Sequence, residues 1–553
     1  MIRPFICLVA GLILSLAVSA QSMMSKEIPF MTPFAPKSAI ITDYEHKDTV
    51  NAPFSLVRLT NKKVVYMSKE NGVMQPFFIK AIETGYWDTR YHPDTDYNKV
   101  FADMKGIGAN TAYVMLHWED IETQDNKFDF SFSDKVTNAA AKQGLKIKWI
   151  LFLHAQRDKV PTEKPETAWT FHLDNRDSAN YTMQWPKRNG KVYKDIKSLL
   201  EDGGIRPLHV YGHPEIFHRI RRMLYKLAVH YRDDPTVLGI QLGNEEGFSF
   251  LDESDFNPVT SALYEEWKLK TNKTDYALFK KDAMDWWWKQ FTTAYHEGDP
   301  YKIISFNLDA GQAEANDPKR VEMTGTSAAT YADGNLDAIG TMLYKHWGEK
   351  ALLGLDIHYG NMYNYRLPVL IPSEIGIGSF NSLPYFRRFT AQTLERAAQG
   401  FGVYCYGEVR EELPNKVTER EALTRIFSNI TSNVDIIYPG LPGPGYAVLT
   451  AKDDNIKISH LNLDGGKTLA LIYDLTGIEI TDNLEGAKNE DVAIQCSVTM
   501  PGKYAIKVYT SKEEKKIEKF FSETNSVFTF TVSDFDKTDL AFIRIEQINS
   551  ERK

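Results

Sequence analysis

The sequence predicts an α/β protein: a (β/α)8 (TIM) barrel followed by a C-terminal antiparallel β-sandwich. Three observations predict it. Between Phe77 and Tyr406, eight short apolar runs alternate with amphipathic stretches. The loop Pro439-Gly440-Leu441-Pro442-Gly443-Pro444-Gly445 then breaks that alternation. Beyond it, β-type runs follow one another with only turn residues between them.

The first twenty residues stand outside this scheme. Arg3, the apolar run 5–17 and the small-residue end Val18-Ser19-Ala20 have the pattern of a secretory signal peptide, 1–20. Export to the periplasm or the cell exterior is therefore expected, with the mature chain starting near Gln21. Cys7 lies inside the apolar run, badly placed for a lipid-bearing cysteine. Residues 21–71 are expected to form an N-terminal extension or small β layer against the barrel.

The barrel is expected over 72–438. Its first strand, 77–82, follows the turn Asn71-Gly72, and its second, 111–116, is entered through Gly106-Ile107-Gly108-Ala109-Asn110. Residues 133–143 read as a helix closed by Gly144 and deliver the chain into strand three, 146–153. Pro214 opens a helix that runs to about Tyr231, and the turn Asp233-Asp234-Pro235 precedes strand four, 237–242. The remaining runs are 302–306, 353–357, 369–371 and 402–406. Strands separated by helices pair in parallel through right-handed crossovers, and the closed form of that arrangement is a barrel. An open doubly wound sheet is the rival, but no Gly-x-Gly-x-x-Gly turn joins a strand to a helix. The sandwich is expected over 446–553, from the runs 468–473, 492–498, 504–509, 527–532 and 540–545. The charged cluster 512–519 reads as a solvated hairpin tip.

Composition excludes several functions. A net charge of −8 over 553 residues leaves no electrostatic footprint for nucleic acid or an anionic membrane. Past the signal peptide, no stretch approaches the roughly 18 apolar residues that a membrane span needs. Cys405 and Cys496 alone follow the leader, which excludes a disulfide framework and leaves two buried thiols as the simple expectation. His209, His213 and His218 straddle a loop and a helix with no cysteine nearby, so no metal is expected, and no cofactor either. Of Trp286, Trp287 and Trp288, at least one belongs to the core and the others could line a cleft.

Catalytic groups on such a barrel follow the strand ends. Here these are Glu83 and Trp87; His117, Trp118 and Glu119; His154 and Arg157; Asn244, Glu245 and Glu246; Asn307 and Asp309; His358 and Tyr359; Glu374; and Tyr406 with Glu408. A rim rich in carboxylates, amides and aromatics suits cleavage of a glycosidic bond, which needs one carboxylic acid and one carboxylate. Strand-end position alone does not select the pair.

The run Val237-Leu238-Gly239-Ile240-Gln241-Leu242-Gly243-Asn244-Glu245 resembles the strand-four ending of the large clan of retaining glycoside hydrolases built on this barrel. The resemblance implies that Glu245 is the acid/base and that Asn244 contacts the hydroxyl beside the reacting carbon. Leu367-Pro368-Val369-Leu370-Ile371-Pro372-Ser373-Glu374 is similar to the clan's nucleophile strand, which gives Glu374 that role. Gly108-Ala109-Asn110-Thr111 through Trp118-Glu119, with Phe128-Asp129-Phe130, resembles families thirty-five and forty-two, the β-galactosidase groups. Two positions depart from those groups: Glu246 stands where they often have Tyr, and Ser373-Glu374-Ile375-Gly376 lacks an aromatic continuation.

The expectation is thus a retaining, exo-acting, β-galactosidase-like enzyme whose partner is an oligo- or polysaccharide. An endo-β-glycanase or β-mannosidase on the same barrel, and a non-catalytic glycan-binding protein, are the alternatives. Tyr359 is expected to hold Glu374 by a hydrogen bond, and Trp87, Trp118 and Tyr406 to stack on sugar rings. Glu119, His154, His358 and Asn307 complete the expected substrate-binding rim. Glu83 and Glu408 either bind hydroxyls or pair with cations, and Glu246 is expected to be a solvated or salt-bridged neighbour.

Overall fold

Eight parallel strands close into a barrel because each apolar run pairs with the next and the last returns to the first. The computed structural model describes residues 29–85, 95–153, 170, 182–188, 190–202, 208–248, 255–308, 316–365, 369–410, 417–443, 445–463, 466–474, 490–510, 514–535 and 540–548. The expected signal peptide, Trp87 and His154 lie outside the described residues.

The first five barrel strands are Ile79–Glu83, Thr111–His117, Lys146–Phe152, Val237–Leu242 and Ile303–Phe306. The sixth consists of two pieces, Ala338–Ile339 and Met342–Leu343, and so does the seventh, Val369–Leu370 and Glu374–Gly376. The eighth, Gly400–Tyr404, pairs in parallel with both the seventh and the first. Almost every residue of these strands is buried, as expected where helices cover a closed parallel sheet.

The sixth strand is not where the apolar run 353–357 suggested. That run lies inside the helix Glu349–Tyr365. Ala351, Leu352, Leu355 and His358 are buried there while Leu353 and Asp356 are exposed, which is a helical period. The true strand is short and interrupted at Gly340 and Thr341.

Side chains from strands that are not neighbours meet inside the barrel, and they are polar. The Lys148 ammonium of strand three sits 3.9 Å from the centroid of the Tyr113 ring and 3.5 Å from Ser305 Oγ of strand five. Ser373 Oγ of strand seven donates to Gln241 Oε1 of strand four at 2.6 Å. All five residues are buried.

A four-stranded sheet, Ile41–Asp43, Phe54–Arg58, Val64–Glu70 and Val73–Pro76, covers the other end of the barrel. Its Phe54, Leu56 and Tyr66, with Phe77, pack on Ile79, Leu238, Ile303, Ala338 and Val369, which stand at or next to the start of their strands. Tyr66 Oη donates to the Leu238 carbonyl at 2.6 Å.

The C-terminal region is a sandwich. Its six-stranded sheet contains Ile456–Leu463, Lys467–Asp474, Ala541–Ile548, Gly502–Tyr509 and Glu514–Phe521, with Leu441–Pro442 at one edge. Its three-stranded sheet is Ala447–Ala451, Glu490–Val498 and Val527–Phe535. Lys467–Asp474 faces two ways: Leu469, Leu471 and Tyr473 join the barrel's core, while Ala470 and Ile472 join the sandwich core. Of the charged cluster 512–519, the described residues are strand rather than hairpin tip. From Glu514 it forms an edge strand antiparallel to Gly502–Tyr509, and its exposed lysines and glutamates keep that edge from pairing with other chains. Among the described residues, no helix is long and apolar enough to cross a membrane.

Candidate active site

The chain leaves strand four through backbone that few residues tolerate. Gly243 has φ +73°, and a Cβ there would lie 2.2 Å from Glu246 Cγ. Glu245 has φ 55°, the left-handed region that a glutamate occupies only when its surroundings hold it there. This turn leaves Asn244 and Glu245 on the pocket, while Glu246 folds back, buried, to accept a hydrogen bond from Tyr211 Oη. The solvated Glu246 expected from strand alternation is thus corrected: two left-handed residues, Gly243 and Glu245, reset the alternation.

One side chain ties the site together. Asn307, at the end of strand five, accepts from the Glu245 backbone N–H at 3.0 Å through Oδ1. Its Nδ2 donates to Asn244 Oδ1 at 2.8 Å and to Glu374 Oε1 at 3.2 Å. Asn307 is fully buried and engaged by protein on both ends of its amide. It positions the site.

Glu374 begins the second piece of strand seven, and its Oε2 accepts from Tyr344 Oη. Tyr344 immediately follows strand six. Burial and the Glu374 carboxylate hold its phenol well above the usual range, so it remains a donor at any physiological pH. The pocket around these groups has a volume of about 280 Å³. It is lined by Glu83, Asn244, Glu245 and Glu374, with Met115, Phe152, Tyr344, His346, Trp347, Phe380 and Tyr404. Burial, then Glu374 and Glu245, push Glu83 well above the usual carboxylate range, opposed by Lys148. Burial likewise pulls the Lys148 ammonium down to about 7, opposed by Glu83 and Glu374. Burial lowers His346. Carboxyl groups gathered on one concave surface can divide acid and nucleophile duties between them.

Several expected residues are elsewhere. Tyr359 and His358 ride on the helix Glu349–Tyr365, so neither follows a strand; His358 is buried with its ring edge-on to Tyr331 at 5.1 Å. The tyrosine that holds Glu374 is Tyr344. Tyr406 lies past the end of strand eight in a short 3-10 helix, where its hydroxyl donates to Asp103 Oδ2 at 3.1 Å; Tyr404 lines the pocket instead. Trp118 is buried and donates to Glu122 Oε2 at 2.7 Å, and Glu119 accepts from Thr170 Oγ1 at 3.0 Å; neither lines the pocket. Trp286, Trp287 and Trp288 are all core residues. Cys405 and Cys496 are buried free thiols, each pushed up to about 12 by burial. Tyr344, His346, Trp347, Phe380 and Tyr404 were not singled out from sequence. For Tyr344 the available signal was its place after Met342-Leu343.

No family model matches the chain. Over 244 residues, 43% of the chain, it is 23% identical to β-galactosidase BbgII of Bifidobacterium bifidum, and it spans about a third (31%) of the length of that curated relative. Among solved structures, a protein described as a glycoside hydrolase matches with a TM-score of 0.50 at 12% identity, covering 91% of this chain and 98% of that one. A glycoside hydrolase family 5 protein of Bacteroides vulgatus matches with a TM-score of 0.48 at 12% identity, over 92% of this chain and 95% of its own. The chain therefore has the barrel fold of a glycoside hydrolase, with carboxylates gathered at the C-terminal ends of its strands.

Proposed function

We propose that the chain is an exported retaining glycoside hydrolase that cleaves β-linked glycans by double displacement. Glu374 is the nucleophile and Glu245 the acid/base. The observation that carries this reading is the Asn307 amide, which binds the Glu245 backbone, Asn244 and Glu374 around a single pocket. In the first step Glu374 attacks the anomeric carbon while Glu245 gives its proton to the departing oxygen. In the second step Glu245 takes a proton from water, the resulting hydroxide attacks the same carbon, and Glu374 leaves. Tyr344, by donating to Glu374, keeps the carboxylate aimed and ionised between turnovers. Asn244, beside the acid, is placed to bind the hydroxyl next to the reacting carbon. Export rests on the pattern of residues 1–20.

An exo-acting, β-galactosidase-like specificity, as in families thirty-five and forty-two, is supported by the likeness to BbgII and by the small volume of the pocket. Endo action on a β-glycan is the second reading. Trp347, Phe380 and Tyr404 supply an aromatic wall on which further sugar rings can stack.

The test is hydrolysis of a panel of aryl β-glycosides and β-glycan polymers by the wild type, E245Q and E374Q. Each variant should lose about 10²–10⁴-fold in turnover. A 2-deoxy-2-fluoro glycoside should leave a covalent adduct on Glu374, visible by peptide mass spectrometry. Turnover undiminished in either variant rejects the assignment. Cleavage of polymer with no action on aryl monosaccharides selects the endo reading.

A further inference from the structure

The double-displacement reading uses two of the three carboxyl groups on the pocket. The third, Glu83, ends strand one and is 2% exposed. Its Oε2 is buried and has no hydrogen-bond partner among the described residues. The cation beneath it does not supply one: Lys148 turns its ammonium to the Tyr113 ring and Ser305 Oγ rather than pairing with Glu83. A buried carboxyl oxygen without a partner is costly, and a folded protein keeps such a group where a ligand completes it.

We propose that Glu83 is a substrate-binding residue. It hydrogen-bonds a ring hydroxyl of the sugar whose anomeric carbon Glu374 attacks, and it bars uronic acids from that position. The inference rests on the glycosidase reading above and specifies its substrate class as neutral sugars. Glu83, Glu245 and Glu374 all line the one pocket, and no Lys or Arg is among its described lining residues. A sugar carboxylate placed there would meet the Glu374 carboxylate and, among the described lining residues, no Lys or Arg to offset it, since Lys148 lies below the floor. Burial and the neighbouring carboxylates hold Glu83 above the usual range. It therefore presents an O–H as well as an acceptor oxygen, and a sugar hydroxyl satisfies both.

The experiment compares wild type, E83L and E83Q on 4-nitrophenyl β-glycosides of mono- and disaccharides. The panel adds the monodeoxy analogues of the best monosaccharide substrate and its uronide. E83L should lose about a hundredfold in kcat/KM on the parent sugar, and E83Q, which keeps a donor and an acceptor, less than about tenfold. In the wild type, deletion of one particular hydroxyl should cost about as much as E83L does. In E83L that same deletion should cost almost nothing more. The uronide should be a poor substrate of the wild type. If every deoxy analogue loses the same factor in E83L as in the wild type, or if the uronide is cleaved as fast as the neutral glycoside, the inference is overturned. Should E83L fail to fold, the same deoxy series run on E83A decides it, because with neither donor nor acceptor at this position the penalty for the contacted hydroxyl must vanish there too.

The 2-deoxy-2-fluoro adduct separates the two levels of the argument. An adduct on Glu374 with additive deoxy penalties removes Glu83 from substrate binding and leaves the reaction intact. With no adduct and no cleavage anywhere in the panel, the reaction and the inference fall together.

Discussion

Inside the barrel, Tyr113, Lys148, Gln241, Ser305 and Ser373 face one another, whereas the facing residues of the sandwich are Ile494, Cys496, Ile506, Phe530 and Ile543. Both regions are buried β-sheet, yet the barrel interior sets this polar layer among apolar residues such as Met115, Ile150 and Phe152, while the sandwich core is apolar. The polar interior lies directly beneath a pocket lined by Glu83, Glu245 and Glu374. A closed parallel sheet satisfies its own backbone, so its inward side chains can be chosen to support charge above them. The sandwich interior follows the hydrophobic pattern.

If this contrast is real, substitutions in and above the barrel interior should change turnover more than stability, and those in the sandwich the reverse. Asn307→Leu should have the largest effect, about a thousandfold in kcat, because one change releases the Glu245 backbone, Asn244 and Glu374 together. Steady-state kinetics beside a melting curve checks it; full activity would break the contrast at its strongest point. Ile506→Ala, at a fully buried position of the sandwich, should cost about 3 kcal/mol in chemical denaturation and leave kcat/KM of the folded protein unchanged. A fall in kcat/KM would show that the sandwich shapes the site.

The smallest effect sharpens the contrast through pH. His460 Nε2 accepts the Leu449 backbone N–H at 3.1 Å, and burial pulls its imidazole down to about 4. The unfolded chain takes up that proton below about pH 6.5, the folded chain only below about 4. Stability is therefore lost as pH falls through that window and is unaffected above it. The loss should be about 2 kcal/mol, and His460→Gln, which retains an acceptor, should flatten the pH dependence. Urea midpoints at pH 7 and pH 4.5 measure it; the same slope in both proteins would remove His460 as its cause.

How much of this could be read in advance depended on continuity. Strand four is one uninterrupted apolar run after Asp233-Asp234-Pro235, so its end was visible and with it Asn244 and Glu245. Strand six is two dipeptides around Gly340-Thr341, too short to exceed its surroundings, while the more apolar 353–357 coils as a helix. That one misreading moved the hydrogen-bond partner of Glu374 from Tyr344 to Tyr359. Strand eight ends two residues earlier than the apolar run does, which exchanged Tyr404 for Tyr406. Glu514–Phe521 was hidden for the opposite reason, since an exposed edge strand carries the charges of a loop. Asn307 was visible as a residue but not as a clamp, because its three partners come from two other strands.

The N-terminal sheet acts as a stopper. Phe54, Leu56 and Tyr66 are seated under the strand starts, so the sheet closes the end of the barrel away from the pocket beside Glu245 and Glu374. A chain shortened to residue 77 would expose the strand starts to water, and a hydrated Lys148, freed from the burial that pulls it down to about 7, would hold its proton more firmly beneath the pocket.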